Sequence, residues 1–327
     1  MEEREHPSIP LINVLPEEFK LSGYIVESVL GKPGGFGITY RAKDQNLERS
    51  IAIKEYLPPD FAVRETDKTV HARSVSHEEA FKWGLDCFKK EAQVLARFTH
   101  SSIVRVFHFF EMNGTAYMVM EYQEGKNLEE YFLKQGVLTE KELLDIVLKL
   151  LDGLQAIHNE NYLHRDIKPT NIYIRDRDKS PVLLDFGSAR YAIGQRSRNV
   201  TSIVTPGYAP IEQYDNEADE QGPWTDIYGL GAVMYRAISG EAPPAATRRV
   251  MKDPMMPATQ LGAGKFSSNF LTAIDWALAP SREEKDLKTL RNGAKCSLRS
   301  NLRLYLCLHR VVFVDIRVLR NHSAHFG

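Results

Sequence analysis

The sequence predicts an α+β protein with two unlike lobes, a smaller β-rich lobe followed by a larger helical one. The chain has 327 residues, which suits one large two-lobed domain. Between about residues 23 and 122 the apolar runs are short and rich in β-branched and aromatic side chains, as in strands. Beyond residue 125 the apolar residues recur at three- and four-residue steps, which is typical of helices.

The first lobe is expected to consist of strands around one helix. The strand-like runs are residues 24–30, 51–53, 103–110 and 116–121. Asn113-Gly114, between the last two runs, is typical of a hairpin turn. Residues 78–98 carry apolar side chains at helical spacing with no proline, so they predict an amphipathic helix.

The second lobe begins with two helical patterns, at residues 128–133 and 138–158. Thr139 followed by Glu142 predicts a capping box at the start of the longer helix. Because a short polar link, residues 123–125, joins the lobes, a cleft between them is the expected place for a small ligand. The predicted divisions are a loose leader (1–22), the N-lobe (23–122), the C-lobe (123–285) and a tail (286–327).

Composition excludes several classes of protein. The 42 Lys and Arg balance 43 Asp and Glu, so no overall field attracts nucleic acid or a membrane surface. Three scattered cysteines cannot form a disulfide framework. The start of the chain lacks the features of an export signal, and no apolar run approaches the roughly 20 residues of a membrane span. We therefore expect a cytoplasmic protein.

Two features of the first lobe can serve nucleotide binding. A glycine-rich turn between strand-like runs can bring backbone N–H groups close to phosphates, although such turns also occur in plain hairpins. Its glycines are Gly31, Gly34, Gly35 and Gly37. Lys54 ends a buried-looking strand, where an ammonium needs an anion, and Glu91 in the predicted helix is the candidate partner. Either charge alone is more often a solvated surface residue.

The most specific signal lies in residues 164–171 and 183–187. These segments combine a base, a cation and two oxygen ligands, namely Asp166, Lys168, Asn171 and Asp185. Mg²⁺ takes oxygen ligands and keeps several waters, so one carboxylate and one amide beside substrate phosphates suit it. A plain charged loop is a poor explanation of so dense a set.

In these motifs and their order, residues 23–285 resemble the protein kinase superfamily, and the segment after Lys54 resembles a bacterial subgroup of serine/threonine kinases. The resemblance implies the kinase fold and an ATP site in which Ala52 and Lys54 contact the nucleotide and Lys54 pairs with Glu91. It implies Mg²⁺ ligands at Asn171 and Asp185. It further implies that Asp166 orients the substrate hydroxyl and that Lys168 neutralises the transferring phosphoryl group.

The same resemblance assigns the remaining candidate residues. Met120 would be the gatekeeper, although plain core packing explains it equally well, and the backbones of Glu121 and Gln123 would meet adenine. Thr205 to Glu212 resembles a substrate-docking segment, and Thr205 favours Ser/Thr substrates over Tyr. Asp226 matches a buried aspartate that anchors the catalytic loop.

The polar loop before Thr205 is a candidate for autophosphorylation. Its candidate hydroxyls are Ser197, Thr201 and Ser202. Arg165 would offer a guanidinium to a phosphate there, although an ordinary surface loop accounts for the composition equally well.

Four departures from the family pattern stand out, and one of them is Pro210-Ile211-Glu212 in place of the common Ala-Pro-Glu. The glycine loop is one residue longer than usual, with Pro33 as the apparent insertion, and residues 55–90 form a long insert between Lys54 and Glu91. The Arg-Pro pair expected opposite Glu212 is missing. Residues 286–327 are basic and proline-free, so we interpret the sequence after Lys285 as an out-of-frame product. The alternative is a divergent tail that contacts a partner or membrane.

The leading interpretation is a bacterial serine/threonine protein kinase that uses ATP and Mg²⁺ and acts on protein substrates, without nucleic acid or a membrane span. Two alternatives are a small-molecule phosphotransferase of related fold and a pseudokinase scaffold that binds nucleotide without transfer. The sequence carries no indication of the oligomeric state or of the physiological substrate.

Overall fold

The protein is described here from a computed structural model. The structure describes residues 13–34, 37–187, 204–214 and 221–280. The chain forms two compact units, and the described part of the first comprises residues up to 97 together with 105–123. The second comprises residues 98–104 and the described residues from 124 onward.

The first unit is built on antiparallel strands. Its strands are β1 (Lys20–Leu21), β2 (Tyr24–Gly34), β3 (Gly37–Asp44), β4 (Arg49–Tyr56), β5 (Ala62–Arg64), β6 (Val70–Ala72), β7 (Val106–Met112) and β8 (Thr115–Glu121). Six of them form one sheet in the order β1-β2-β3-β4-β8-β7, and β5 pairs with β6 separately. All of these pairs are antiparallel. Strand β8 is buried along nearly its whole length, which explains its continuous apolar run.

One long helix, α1 (Glu78–Leu95), packs against β7 and β8. It ends three residues earlier than the periodicity predicts. Its buried stripe includes Phe81, Phe88 and Leu95, at helical spacing. Glu91 lies on the same buried stripe, so the helix carries this carboxylate into the interior of the unit rather than into solvent.

The leader predicted over residues 1–22 is not loose in its described part. Leu15 and Leu21 are both almost fully buried. The N–H of Leu15 donates to the hydroxyl of Tyr40 (3.1 Å), and β1 pairs with the start of β2. Burial of these leucines favours packing of the segment against the unit. Its proline and glutamate content had led to the prediction of a loose segment.

The predicted boundary of the first unit also needs correction. Residues 98–104 belong to the second unit, although the predicted N-lobe, residues 23–122, included them in the first. Their backbone is held there by two hydrogen bonds, from Val104 N to Leu183 O (3.0 Å) and from Leu183 N to Ser102 O (2.9 Å).

The second unit is mainly helical. Its helices are α2 (Leu128–Gln135), α3 (Glu140–His158), α4 (Pro223–Ser239), α5 (Ala246–Met251), α6 (Ala258–Leu261) and α7 (Ser268–Ala277). A small antiparallel sheet pairs β10 (Ile172–Arg175) with both β9 (Gly125–Asn127) and β11 (Pro181–Leu183). The loop before β10 contains Asp166, Lys168 and Asn171, and Asp185 follows the end of β11.

The predicted capping box of α3 is confirmed. The backbone N–H of Thr139 donates to the Glu142 carboxylate (2.8 Å), and Glu142 N–H donates to the Thr139 hydroxyl (3.4 Å). Helix α4 begins at Pro223 and is followed by Gly240 at φ 85°, the usual start and stop signals. No helix among the described residues is both long enough and apolar enough to cross a bilayer.

Several predicted features lie outside the described residues. They are Gly35 of the glycine loop, the candidate phosphorylation residues Ser197, Thr201 and Ser202, and the tail 286–327 with its proposed change of frame.

Candidate active site

Asp166, Lys168 and Thr205 form a compact polar cluster in the second unit. The ammonium of Lys168 lies 2.8 Å from Asp166 Oδ2, and the Thr205 hydroxyl donates to Asp166 Oδ1 (3.0 Å). Lys168 also donates to Thr205 Oγ1 (3.3 Å), which closes the triangle. The side chains of Asp166 and Lys168 are 13% and 19% exposed, so the pair is reachable but largely shielded from water. Such shielding strengthens charge–charge interactions.

Asn171 is tied to the same aspartate. It lies in a single 3₁₀ turn, Pro169–Asn171, just before β10. Its amide nitrogen donates to Asp166 O (2.8 Å) and to Asp166 Oδ2 (2.9 Å). Because the nitrogen takes both hydrogen bonds, the amide oxygen is the atom that can serve as a metal ligand.

Asp185 is brought next to this cluster by the β10–β11 hairpin. Ile172 pairs with Leu183, and Leu184 N–H donates to Asn171 O (2.8 Å). Gly187 N–H donates to His164 O (2.9 Å), so the chain on both sides of Asp185 is attached to the loop of residues 164–171. Asp185 itself has φ 43°, a left-handed conformation that non-glycine residues adopt at a cost of about 1–3 kcal/mol.

Asp226, in the first turn of α4, anchors the loop that carries Asp166. Its two oxygens accept the N–H groups of His164 (2.9 Å) and Arg165 (2.8 Å). Arg165 has φ 64°, and Gln213 fixes its carbonyl through a hydrogen bond of 2.8 Å. The strained Arg165 backbone is therefore held from both sides, which sets the direction of the next residue, Asp166.

Two histidines support the loop, and the sequence prediction gave neither a role. His158 Nε2 donates to Asp226 Oδ2 (2.7 Å). His164 Nε2 donates to Leu184 O (2.8 Å), while its Nδ1 accepts from Asp166 N (3.3 Å). Burial lowers the pKa of His164, which agrees with the neutral ring that this pattern requires. His158 follows Leu151 and Leu154 at helical spacing, so a polar residue on the apolar stripe of α3 was a usable signal.

The first unit holds the Lys54–Glu91 pair. Lys54 lies in β4, opposite Thr39 of β3 and Met118 of β8. Its ammonium is 4.0 Å from the Glu91 carboxylate, whose side chain is only 1% exposed. The prediction that the strand and the helix bring these two residues together agrees with this geometry. The buried carboxylate provides an opposite charge beside the ammonium and so favours this direction of the lysine side chain.

The glycine turn is a hairpin between β2 and β3 with an irregular register. Leu30 pairs with Thr39 and Gly34 with Gly37, so β2 spends four residue steps where β3 spends two. The extra length, which the sequence ascribed to Pro33, is therefore taken up as a bulge. Gly31 has φ 70°, where a side chain would be strained. At Gly37 an added Cβ would lie 2.0 Å from Glu55 O, so only glycine fits.

The segment predicted to meet adenine follows β8. Ala52 pairs with Met120 across β4 and β8, and both are buried, so Met120 is part of the core of the unit. Glu121 N–H donates to Arg105 O (2.9 Å), so an adenine contact from Glu121 has to use its carbonyl. The Gln123 amide donates to the Glu121 carboxylate (2.9 Å), which orders the end of the segment.

Glu212 lies in a 3₁₀ turn, Ile211–Gln213, after the predicted docking segment. Its carboxylate accepts a hydrogen bond from the Thr225 hydroxyl (2.9 Å) at the start of α4. The adjacent Gln213 donates to Arg165 O (2.8 Å), so this turn is connected to α4 through Glu212 and to the loop that carries Asp166 through Gln213.

The donor set suits Mg²⁺ held jointly with a nucleotide. Among the described residues no group of three or more His, Cys, Asp and Glu side chains could hold a metal. Asn171 and Asp185 could offer one amide and one carboxylate oxygen, so phosphates and water would have to supply the other ligands. That division is the usual one for Mg²⁺.

A β-rich unit with a buried Lys–Glu pair and a helical unit with an Asp–Lys–Thr cluster define the protein kinase class. The protein kinase domain family matches residues 24–287, and the chain belongs to this family. The predicted fold is thereby confirmed.

Relatives with known names agree with this assignment. The chain is 33% identical over 230 residues to serine/threonine-protein kinase PknA of Nostoc sp., covering 67% of this chain and 37% of that protein. It is 30% identical over 254 residues to serine/threonine-protein kinase B of Synechocystis sp., covering 73% and 41%. Among solved structures, the PpkA-294 apo form is similar with a TM-score of 0.77 at 38% identity, covering 90% of this chain and 99% of that one. The matches to the two named kinases thus span about two fifths of the length of those relatives.

Proposed function

We propose that the protein is a serine/threonine protein kinase that transfers the γ-phosphoryl group of ATP to hydroxyl groups of protein substrates. The Asp166–Lys168–Thr205 cluster is the observation that carries the proposal. The serine/threonine kinases to which the chain is similar support it.

The residues of the cluster have distinct roles in the proposed reaction. The oxygen of the substrate hydroxyl forms a bond to the γ-phosphorus, and the bond between the γ-phosphorus and the ADP oxygen breaks. Asp166 accepts the proton that the substrate hydroxyl loses. Lys168 balances the negative charge of the transferring group. Thr205 holds both side chains in place and thereby favours a small aliphatic hydroxyl as the acceptor.

The remaining site residues bind and orient ATP. Lys54, paired with Glu91, holds nucleotide phosphates, and Asn171 and Asp185 would ligate Mg²⁺. When bound, Mg²⁺ neutralises phosphate charge and polarises the bond that breaks. Gly31, Gly34 and Gly37 present backbone N–H groups to the phosphates, and the Glu121 and Gln123 backbones meet adenine.

Radiolabelled γ-phosphate transfer to peptides that contain only Ser, only Thr or only Tyr as acceptor tests the proposal. We expect transfer to Ser and Thr peptides, and a loss of about 10³-fold in kcat for Asp166→Ala. Asp145→Ala, which removes an exposed aspartate paired with Lys149 on α3, is the matched control and keeps wild-type activity.

Two results would overturn the proposal. Binding of ATP without transfer to any acceptor would indicate a pseudokinase. Transfer to small alcohols or amines, but not to peptides, would indicate a small-molecule phosphotransferase.

A further inference from the structure

The insert between Lys54 and Glu91 contributes a buried cluster of charged and hydroxyl groups on the first unit. The cluster consists of Glu55, Arg64, Tyr40 and Tyr117, and we call it the Glu55 cluster. The Glu55 and Arg64 side chains are both 0% exposed, and they form an ion pair through Arg64 Nη2 and Glu55 Oε2. The Tyr40 hydroxyl donates to the same carboxylate oxygen (2.9 Å).

The rest of the Arg64 guanidinium is also engaged. Its Nε donates to Asn13 O (3.0 Å) and its Nη1 to Lys68 O (3.1 Å). The cluster therefore ties the strand β4 to the β5–β6 hairpin and to the packed segment before β1. Burial raises the pKa of Glu55, opposed chiefly by the Arg64 charge and also by the hydrogen bond from Tyr40. The carboxylate thus depends on its partners to remain charged.

Glu55 directly follows Lys54 in β4. Successive side chains of a strand point to opposite faces, so fixing Glu55 on one face fixes the rotation of the strand and the direction of Lys54 on the other. Tyr40, on the neighbouring strand β3, reinforces this, because its backbone pairs with Ile53 of β4 while its hydroxyl donates to Glu55.

Glu55 also supports the end of the glycine turn. Gly37 approaches the carbonyl of Glu55 so closely that an added Cβ would lie 2.0 Å from the oxygen. In β3, Gly37 pairs with Tyr56, the residue after Glu55. Glu55 thus lies next to both Lys54 and the end of the glycine turn, the two features assigned to the nucleotide phosphates.

We propose that Glu55 and Arg64 are positioning residues for ATP, which act through Lys54 and Gly37 without touching the nucleotide. This inference rests on the proposed kinase function. It gives the insert a role in nucleotide affinity, whereas a purely structural insert would affect only the fraction of folded protein.

Steady-state kinetics of Arg64→Met and Glu55→Gln test the proposal. We expect the KM for ATP to rise by about tenfold, because small displacements of a phosphate-binding group weaken its contacts sharply. The KM for the peptide substrate should stay at the wild-type value. Arg73→Met is the matched control, because Arg73 lies in the same insert but donates to Pro59 O, outside the Glu55 cluster.

Stability has to be separated from positioning. Leu271→Ala opens a cavity in helix α7 of the second unit, so it lowers the melting temperature without affecting the Glu55 cluster. It should leave both KM values unchanged. The double variant Glu55→Gln/Arg64→Met removes both buried charges, so we expect its melting temperature to approach that of the wild type while its KM for ATP stays raised.

Two outcomes would overturn the positioning role. One is an unchanged KM for ATP in the single variants, with only a lower melting temperature as in Leu271→Ala. The other is a KM for ATP that returns to the wild-type value in the double variant. If the wild type transfers no phosphate, the kinase proposal fails, and the affinity of the same variants for a non-hydrolysable ATP analogue, measured by calorimetry, still decides the inference.

Discussion

The carboxylate of Asp226 is fully enclosed, yet the surrounding groups favour its charged form. Burial alone would raise its pKa, but the hydrogen bonds from the His158 ring and from the backbone N–H groups of the loop lower the pKa below the ordinary value of 3.8. A carboxyl with a lowered pKa stabilises the folded state above its unfolded pKa, and this stabilisation is lost as the pH falls through its folded pKa.

We expect Asp226→Asn to lower the free energy of unfolding by about 3 kcal/mol at pH 7, because a buried charge-assisted network loses its acceptor. The difference from the wild type should shrink as the pH falls below 3.8, because Asp226 then binds a proton in the unfolded chain while it is still charged in the folded protein. Urea unfolding at several pH values measures this difference. Asp145→Asn, at an exposed position on α3, is the control and should cost less than about 1 kcal/mol.

A difference that stays constant from pH 7 to pH 3 would contradict this account of Asp226. The sequence placed Asp226 correctly as an anchor but could not identify its partners. His158 is 68 residues away along the chain, and its contact exists only once α3 and α4 are in place.

Among the helices and strands, the sequence predicted best those features that depend only on residues close together in the chain. The start of α3 was predictable because a capping box needs only Thr139 and Glu142, three residues apart. Neither the β5–β6 hairpin nor the burial of Glu55 and Arg64 was predicted. These two residues look like surface charges in the sequence, and their burial depends on partners from other strands. The same reason explains why the packing of Leu15 was missed.

The capping box makes a quantitative prediction. Thr139→Ala removes the hydroxyl that accepts the Glu142 N–H, so we expect a loss of about 1 kcal/mol in the free energy of unfolding. Thr139→Ser keeps the hydroxyl and should stay close to the wild type. Chemical denaturation of the three proteins measures the effect. A larger loss for Ser than for Ala would show that the methyl group, not the cap, stabilises this helix end.

At the scale of the whole molecule, the order of motifs predicted the class because each motif is short and chemically distinctive. Asp166, Lys168 and Asn171 lie within six residues and meet in the structure as expected. Domain boundaries were less predictable, because residues 98–104 lie in sequence within the first lobe while the hydrogen bonds of Ser102 and Val104 run to Leu183. The interpretation of the tail after Lys285 stays a prediction, because it concerns residues outside those described.

Nucleotide binding by the full chain should appear as thermal stabilisation. A ligand at about 100 times its Kd adds about 2.7 kcal/mol to the folded state by mass action. For a chain of this size we expect a rise of about 5 °C in the melting temperature with ATP and Mg²⁺. Lys54→Met should abolish most of this rise in melting temperature, because the phosphates lose the lysine ammonium. In Asp185→Asn, the rise with ATP should be smaller than in the wild type and should be the same with and without Mg²⁺.

Lys149→Met is the control for these melts, because Lys149 lies on α3 and pairs with Asp145 and Ser180. It should respond to ATP and Mg²⁺ like the wild type. A rise of equal size in Lys54→Met would mean that the nucleotide binds without this lysine, and the role assigned to the Lys54–Glu91 pair would then be wrong. If ATP raised the melting temperature of the wild type equally with Mg²⁺ and with EDTA, the metal roles of Asn171 and Asp185 would be wrong. ATP would then bind without a cation that their oxygens could ligate.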